Sequence, residues 1–479
     1  MPQDSAGGVV SSGPGAPDSA GVNCPEQQHC AAPVRSASHA SVCSRLQGRK
    51  LEAAEMNQEP VSRQERHNLL VLLINQSLFR VAWIFKTESV IIPAFLDTLS
   101  GSGALRGLLP LLNRLGQSVA PLLMSAGLRA TPVKSVWLAR TTFLMGLPFL
   151  YFGASVQISE GTLGHGYAWV FLTAYVIFFA LHGVNEMAAG TVLGKLIPPQ
   201  RRGRLQAAAA FLGTGCAVAM ALLLLSRWLS QPGQLAYGKI FLFVGTVMIL
   251  ASLTIRFLRE PADGGGGGRR FLAPREAVSG VLSNLRGDRV FRRLCGMAML
   301  FVFVQSLFPH FQRVGLDAQD QSLQVLMIWV IAQHLGAVSF STLTGILADR
   351  SGVRAALRLL LPCAAIAPLL AVVLVRQFPD FYWVTFFWIG LVPVTFRMQV
   401  NYALEIAPAE KHPEYISTLN LCMTLPFLLS PGIGYLIERI GYSVPFLTVS
   451  AVIGLGAVAA FLLPEPREPG ALQGFRSGN

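Results

Sequence analysis

The sequence predicts an all-α integral membrane protein with twelve spanning helices in two pseudo-symmetric six-helix bundles. Three observations predict it. Charged residues make up only 13% of the chain and mean hydropathy is +0.50, whereas a soluble domain carries about 25% charged residues. The apolar residues come in continuous runs near the roughly 20 residues that cross a hydrocarbon core, without the alternation of a membrane barrel. Lys and Arg gather in alternate loops between those runs, which is the pattern that sets orientation.

Taken in order, residues 1–66 are rich in Gly, Ala, Ser, Pro and Gln and are expected to form a disordered tail. Met56 offers an alternative start, because the residues after it, NQEPVSRQERHN, read as a short polar leader. Cys24, His29, Cys30 and Cys43 are irregularly spaced, so no metal and no other cofactor is expected. Twelve apolar runs follow at 69–95, 104–126, 134–155, 166–190, 205–227, 236–257, 294–311, 322–346, 355–375, 380–402, 414–437 and 443–463. They are numbered here as spans 1 to 12. The first six make an N-terminal bundle over 67–258 and the last six a C-terminal bundle over 293–463. Between them, 259–292 is a basic central loop. It holds five glycines, Gly264 to Gly268, and then Val278, Val281, Leu282 and Leu285 at the spacing of an amphipathic helix lying on the membrane. Residues 464–479 form a C-terminal tail.

Arg129 and Lys134; Lys195, Arg201, Arg202 and Arg204; the central loop; Arg350, Arg354 and Arg358; and Lys411 all fall on one side. The positive-inside rule makes that side cytoplasmic and, with an even number of spans, places both termini there. The expected location is the cell membrane. The same distribution explains the net charge of +13 without nucleic acid as a partner.

The halves repeat one another. LIPPQRRGRL (196–205) follows span 4 and EIAPAEKHPEY (405–415) follows span 10, with Pro198 matching Pro408. Parallel repeats of this kind are a transporter architecture. Between spans 8 and 9 stands Gly345-x-Leu347-Ala348-Asp349-Arg350-x-Gly352-x-Arg354, and Pro199-x-Arg201-Arg202-Gly203-Arg204 lies between spans 4 and 5. With the six-plus-six layout, these motifs resemble the major facilitator superfamily over about 67–463. The corresponding loop of the first half, SAGLRATPVKS (125–135), lacks the acidic residue. The resemblance implies two bundles that rock about a central site lined by spans 1, 4, 7 and 10. In the loop itself, Gly345, Asp349, Arg350, Gly352 and Arg354 are read as a conformational latch, in which Asp349 pairs with Arg350, Arg354 and Arg358 or a neighbouring helix end, the alternative being a solvated basic loop.

Ionisable residues inside spans cost about 3 kcal/mol each on insertion scales and call for a reason. Span 1 holds Asn75 and Arg80, while Lys86 and Glu88 approach its outer end, where long side chains snorkel. His182, Asn185 and Glu186 form a polar stripe on span 4 at i, i+3 and i+4. His310 lies in span 7, and Arg397 and Asn401 lie four apart in span 10. The repeat sets Glu186 opposite position 396, one residue from Arg397, and suggests a Glu186–Arg397 pair across the axis. These eight residues, Asn75, Arg80, His182, Asn185, Glu186, His310, Arg397 and Asn401, are the candidate path for solute and proton. No nucleotide-binding loop, nucleophile elbow or metalloprotease motif is present, so neither an enzyme nor an ATP-driven pump is expected. The expected function is secondary active transport of a small organic solute by alternating access, coupled to protons and carried out by a monomer in the bilayer. Efflux of drugs or metabolites and a non-transporting membrane sensor are the alternatives.

Overall fold

A computed structural model describes residues 62–231, 233–262, 274–319, 323–408 and 411–466. Cys24, His29, Cys30, Cys43, Met56 and Gly264 to Gly268 lie outside them. Each apolar run is helical. Span 1 is Arg63–Phe85 continued by Ile91–Leu99, span 2 Gly103–Ala130, span 3 Ser135–Ile158, span 4 Tyr167–Leu196, span 5 Arg201–Trp228 and span 6 Leu235–Ile255. Spans 7 to 12 are Arg289–Ala318, Val325–Ser351, Val353–Gln377, Pro379–Ile406, Glu414–Ile440 and Ser443–Phe461. Eleven of these are long and apolar enough to cross a membrane. Span 2 is as long, at 28 residues, but Arg106, Asn113, Arg114 and Gln117 interrupt its apolar sequence.

The boundaries differ from the sequence reading in two places. Span 1 begins at Arg63, so 63–66 are helical and not part of a tail. Ser62 caps this helix by accepting the Glu65 amide proton at 3.1 Å. Span 7 begins at Arg289, where the Asp288 carboxylate caps the helix from the Phe291 amide (2.9 Å) and accepts the Tyr415 hydroxyl (3.1 Å). A separate helix, Pro274–Gly287, occupies the central loop.

Several spans are broken. Span 1 leaves helical geometry over 86–90. The ring of Pro93 conflicts with helical placement of the carbonyl four residues earlier, that of Ser89. Span 7 is in three pieces, the last opening on Pro309. Span 11 passes through a 3-10 segment, Leu425–Leu429, between its helical halves, with Pro426 and Pro431 at the joints. Span 5 carries a π segment at Ala221–Leu225.

Within each half the spans pack into one bundle, span 3 against span 6 and span 9 against span 12 at corresponding positions. The halves meet through spans 2 and 11, spans 5 and 8, and span 1 with spans 7 and 8. Twelve crossings put Ser62 and Pro466 on the same face, called here the termini face. At the opposite face, spans 2 and 11 touch backbone to backbone. A Cβ on Gly103 would run into the Gly434 carbonyl, and one on Gly107 into the Ser430 carbonyl. The Gly103 amide donates to Glu438 Oε2 at 3.0 Å. Deeper in, Ser89 donates to Gln333, Arg114 donates to Gln305 Oε1 (3.1 Å), and the Ser118 and Thr424 hydroxyls lie 3.0 Å apart near mid-span. These cross-bundle bonds seal the opposite half of the seam.

Candidate functional site

In the half of the seam nearer the termini face, charged groups are exposed although they lie well inside their spans. Arg80 of span 1, Glu186 of span 4, and Arg397 and Asn401 of span 10 are all exposed. Arg397 of the second bundle contributes to the field at Arg80, Arg80 to that at His334 of span 8, and Arg114 of span 2 to that at Glu186. Ionisable groups at this depth require water or protein partners, which makes this half of the seam the candidate vestibule. The Glu186 side chain is 66% exposed, and its nearest basic neighbour, His182 Nε2, stands 3.6 Å away. The expected Glu186–Arg397 pair is not formed. Arg114, one helix closer, supplies the field on Glu186 instead.

Beside the vestibule, the break in span 1 builds a denser cluster. Lys86 is buried, with Nζ 2.6 Å from Glu88 Oε1 and 3.3 Å above the Trp83 ring centre, and with Phe178 and Phe179 each 4.8 Å away. It does not snorkel. Phe85 ends the helix just before it, and the chain turns Lys86 inward against its own aromatic wall. A cation over a ring face recovers part of its lost hydration. The other Glu88 oxygen accepts from Asn113, whose Oδ1 accepts from Gln117 at 2.9 Å. The His182 ring lies tilted against Trp83, with ring centres 4.4 Å apart and an interplanar angle of 40°. Arg114 crosses to the second bundle, its guanidinium 4.2 Å from the Phe396 ring centre and 5.6 Å from that of Phe427.

The remaining candidates are elsewhere. Asn75 donates to the Ala251 carbonyl at 2.8 Å and ties span 1 to span 6. Asn185 donates to Thr141 and Thr142 at 2.9 and 2.7 Å and ties span 4 to span 3. Both are buried interhelical ties. His310 is buried beside the Gly103–Gly434 contact at the opposite face, with neither ring nitrogen bonded. Asn113, Arg114 and Gln117 were missed by sequence reasoning. Their signal was available: a charge and two amides within about one turn of a spanning helix.

The latch also differs. Asp349 and Arg350 are exposed, and Asp349 makes no hydrogen bond or ion pair among the described residues. Arg354 reaches Glu465 Oε2 at 3.0 Å, and Arg358 donates to the Phe461 carbonyl at 2.8 Å. Gly352 turns the chain at φ 86°, and a Cβ there would lie 2.5 Å from Glu465 Oε1. The loop therefore fastens to the exit of span 12. The first half does the same with other residues. Glu260, beyond span 6, accepts from the Lys134 and Ser135 amides at the start of span 3 (2.9 and 2.7 Å) and from Lys195 Nζ (2.9 Å). Burial raises the pKa of this carboxyl, but the bonds from Lys195, Ser135 and Lys134 outweigh it and hold the group below its usual value. Glu260-Pro261 and Glu465-Pro466 are thus a repeated dipeptide with a repeated task. Gly345 has open space where a Cβ would stand.

Comparison with known proteins agrees with this architecture. Residues 318–478 match the family model described as Major Facilitator Superfamily. No curated protein matches the sequence. Among solved structures, a mutant of the nucleoside transporter NupG matches with TM-score 0.64 at 12% identity, over 82% of this chain and 99% of that one. A D-xylose-proton symporter gives 0.62 at 13%, over 84% and 99%. A bacterial homolog to the human lysosomal transporter Spinster, in an inward-facing and unoccupied conformation, gives 0.59 at 16%, over 87% and 100%. At such identities the likeness establishes the fold.

Proposed function

We propose that this chain, which has the major facilitator superfamily fold throughout and the family's sequence signature in its second half, is a secondary transporter that carries a small organic solute across the cell membrane in symport with protons. One observation carries the reading. Charged side chains of both bundles are exposed well inside their spans, while cross-bundle bonds close the opposite half of the seam, which is what alternating access requires. The basic loops assign the open face to the cytoplasm, so this conformation opens inward. The nucleoside and xylose carriers of the same fold support a small solute, and the symporter among them supports a proton.

Glu186 takes the proton role. It is an exposed carboxylate in the vestibule, and its nearby cation, Arg114, is engaged with the opposite bundle. Movement of Arg114 changes the field at Glu186, and a carboxylate that loses a nearby cation binds a proton more readily. Purified protein is first screened by thermal shift against a solute panel, since a bound ligand raises the melting temperature. A stabilising solute is then followed into proteoliposomes under an inward proton gradient. Glu186→Gln is expected to abolish gradient-driven accumulation while preserving solute exchange. Undiminished accumulation in that variant would falsify the proton assignment, and no transport of any stabilising solute would reject the transporter reading in favour of a sensor.

A further inference from the structure

We infer that Glu438 is a gating residue: its carboxylate, carried by the second bundle, caps the first turn of span 2 in the first bundle, and does so only while the opposite face is closed. This rests on the alternating-access reading above and adds the residue that biases it.

Span 2 opens on Gly103, and the first amides of any helix have no partner within it. The residue in the capping position, Ser102, does not use its hydroxyl for them. The Gly103 amide donates instead to Glu438 Oε2 at 3.0 Å, across the seam and 335 residues on. That approach needs glycine at 103, since a Cβ there would stand 3.2 Å from the same oxygen and would run into the Gly434 carbonyl. The start of span 2 is otherwise fastened to its own bundle. Arg106 donates to Asp97 Oδ1 at 2.5 Å and to the Gly101 carbonyl at 3.2 Å. The turn therefore moves with the first bundle and its cap with the second.

Glu438 is poorly placed for its own helix. It stands in the last turn of Ser430–Ile440, where the helix dipole disfavours a negative charge. The cation beside it, Arg439, is turned to the Tyr435 hydroxyl at 3.1 Å. At the amino end of span 2 the same negative charge is favoured, and a carboxylate that accepts a backbone amide there makes a charge-assisted bond. Parting spans 2 and 11 leaves span 2 uncapped and leaves Glu438 at the wrong end of its own helix. Both costs fall on the outward-open state, so the pair biases the molecule toward the inward-open one.

The test uses the full-length protein in liposomes without solute. Spin labels at Thr162 and Asp380, both exposed at that face, report opening, and hydrogen exchange over residues 100–109 reports fraying of span 2. Glu438→Ala is expected to raise the long-distance population about fivefold, the factor of a typical cap, and to speed exchange. Glu438→Gln, which keeps an acceptor oxygen but not the charge, should fall between the parent and Glu438→Ala. Arg439→Gln, on the same turn, should change neither readout. Adding Ser102→Asp to Glu438→Ala gives span 2 a cap of its own, so exchange should slow again toward the parent rate while the long-distance population stays raised. Parent-like distances in Glu438→Ala overturn the inference. Accelerated exchange that Ser102→Asp fails to slow also overturns it, because Glu438 would then be a seam contact and not a cap. If Arg114→Ala, which breaks the bond to Gln305, lengthens the distance and Glu438→Ala does not, the cap fails and the alternating seam stands. If no variant lengthens it, both fail. Distances that shift as expected in a protein that moves no solute support the cap and reject transport.

Discussion

Arg114 is the residue through which the two bundles sense each other. It is rooted in span 2, yet its bonds are to Gln305, Phe396 and Phe427 of the second bundle. A stacked cation contributes about 0.5–2 kcal/mol and a hydrogen bond to a charged group about 1.5–3 kcal/mol. Both belong to the conformation with the opposite face closed and are lost when that face opens. Arg114→Ala is therefore expected to shift the conformational equilibrium at least about tenfold toward the outward-open state. Spin labels at Thr162, in the loop after span 3, and at Asp380, in the 3-10 turn that opens span 10, both exposed at the opposite face, read this as a longer inter-label distance; an unchanged distribution refutes the role. The same residue shows where sequence reading ends. Helical spacing found the stripes at His182, Asn185 and Glu186, but it cannot say which neighbour a stripe faces. Asn185 turned out to bond Thr141 and Thr142, whereas Glu186, one position on, stands in water. Likewise Asn75 meets a backbone carbonyl while Arg80 meets the seam. One residue step, about 100° on a helix, separates a structural tie from a site residue.

At the scale of elements, the proposed alternation requires spans 2 and 11 to meet tightly and then part. Their meeting place has no side chains to spare: Gly103 against Gly434, and Gly107 against the Ser430 carbonyl. Buried groups beside it, both His310 ring nitrogens and the Ser430 hydroxyl, have no hydrogen-bond partner among the described residues. Each such group costs about 1–3 kcal/mol. They regain water when the face opens, which keeps the closed state from becoming a trap. Gly434→Leu is expected to block closure, because the obstructing atoms are backbone and cannot give way. The measurable result is loss of solute exchange with a longer Thr162–Asp380 label distance, and exchange at the parent rate would sink the idea. The spans themselves were legible because twenty apolar residues admit no other structure in lipid. Their interruptions were not, since hydropathy registers composition and not geometry. Only Pro93 marked the break at 86–90, from four residues downstream. The latch was misassigned for a related reason: the motif loop gives one half of the contact, and Glu465 lies more than a hundred residues away in a segment read as tail.

For the molecule as a whole, if the solute of the proposed symport is an anion, charge balance decides what drives its uptake. Membrane potential acts on net charge moved, about 2.3 kcal/mol per elementary charge per 100 mV, and an anion entering a negatively charged interior moves against it. A proton carried with the anion cancels that term. The vestibule supplies one carboxylate placed to do so. Glu186 is exposed and loosely held, whereas Glu88 is fixed by Lys86 at 2.6 Å and by Asn113. One proton per monoanion makes each cycle electroneutral. In proteoliposomes, a pH difference of one unit should then concentrate a monoanionic solute about tenfold, the factor equivalent to 1.36 kcal/mol. A potassium diffusion potential of about 100 mV, set with valinomycin at equal pH, should leave both the initial rate and the final level unchanged. Accumulation driven by an inside-negative potential would mean that more than one proton accompanies each charge, and would bring Glu88 back as the second carrier. A doubly charged solute changes the prediction in the opposite direction: with one proton its entry carries one net negative charge, so the same potential should slow it while leaving the monoanion unaffected.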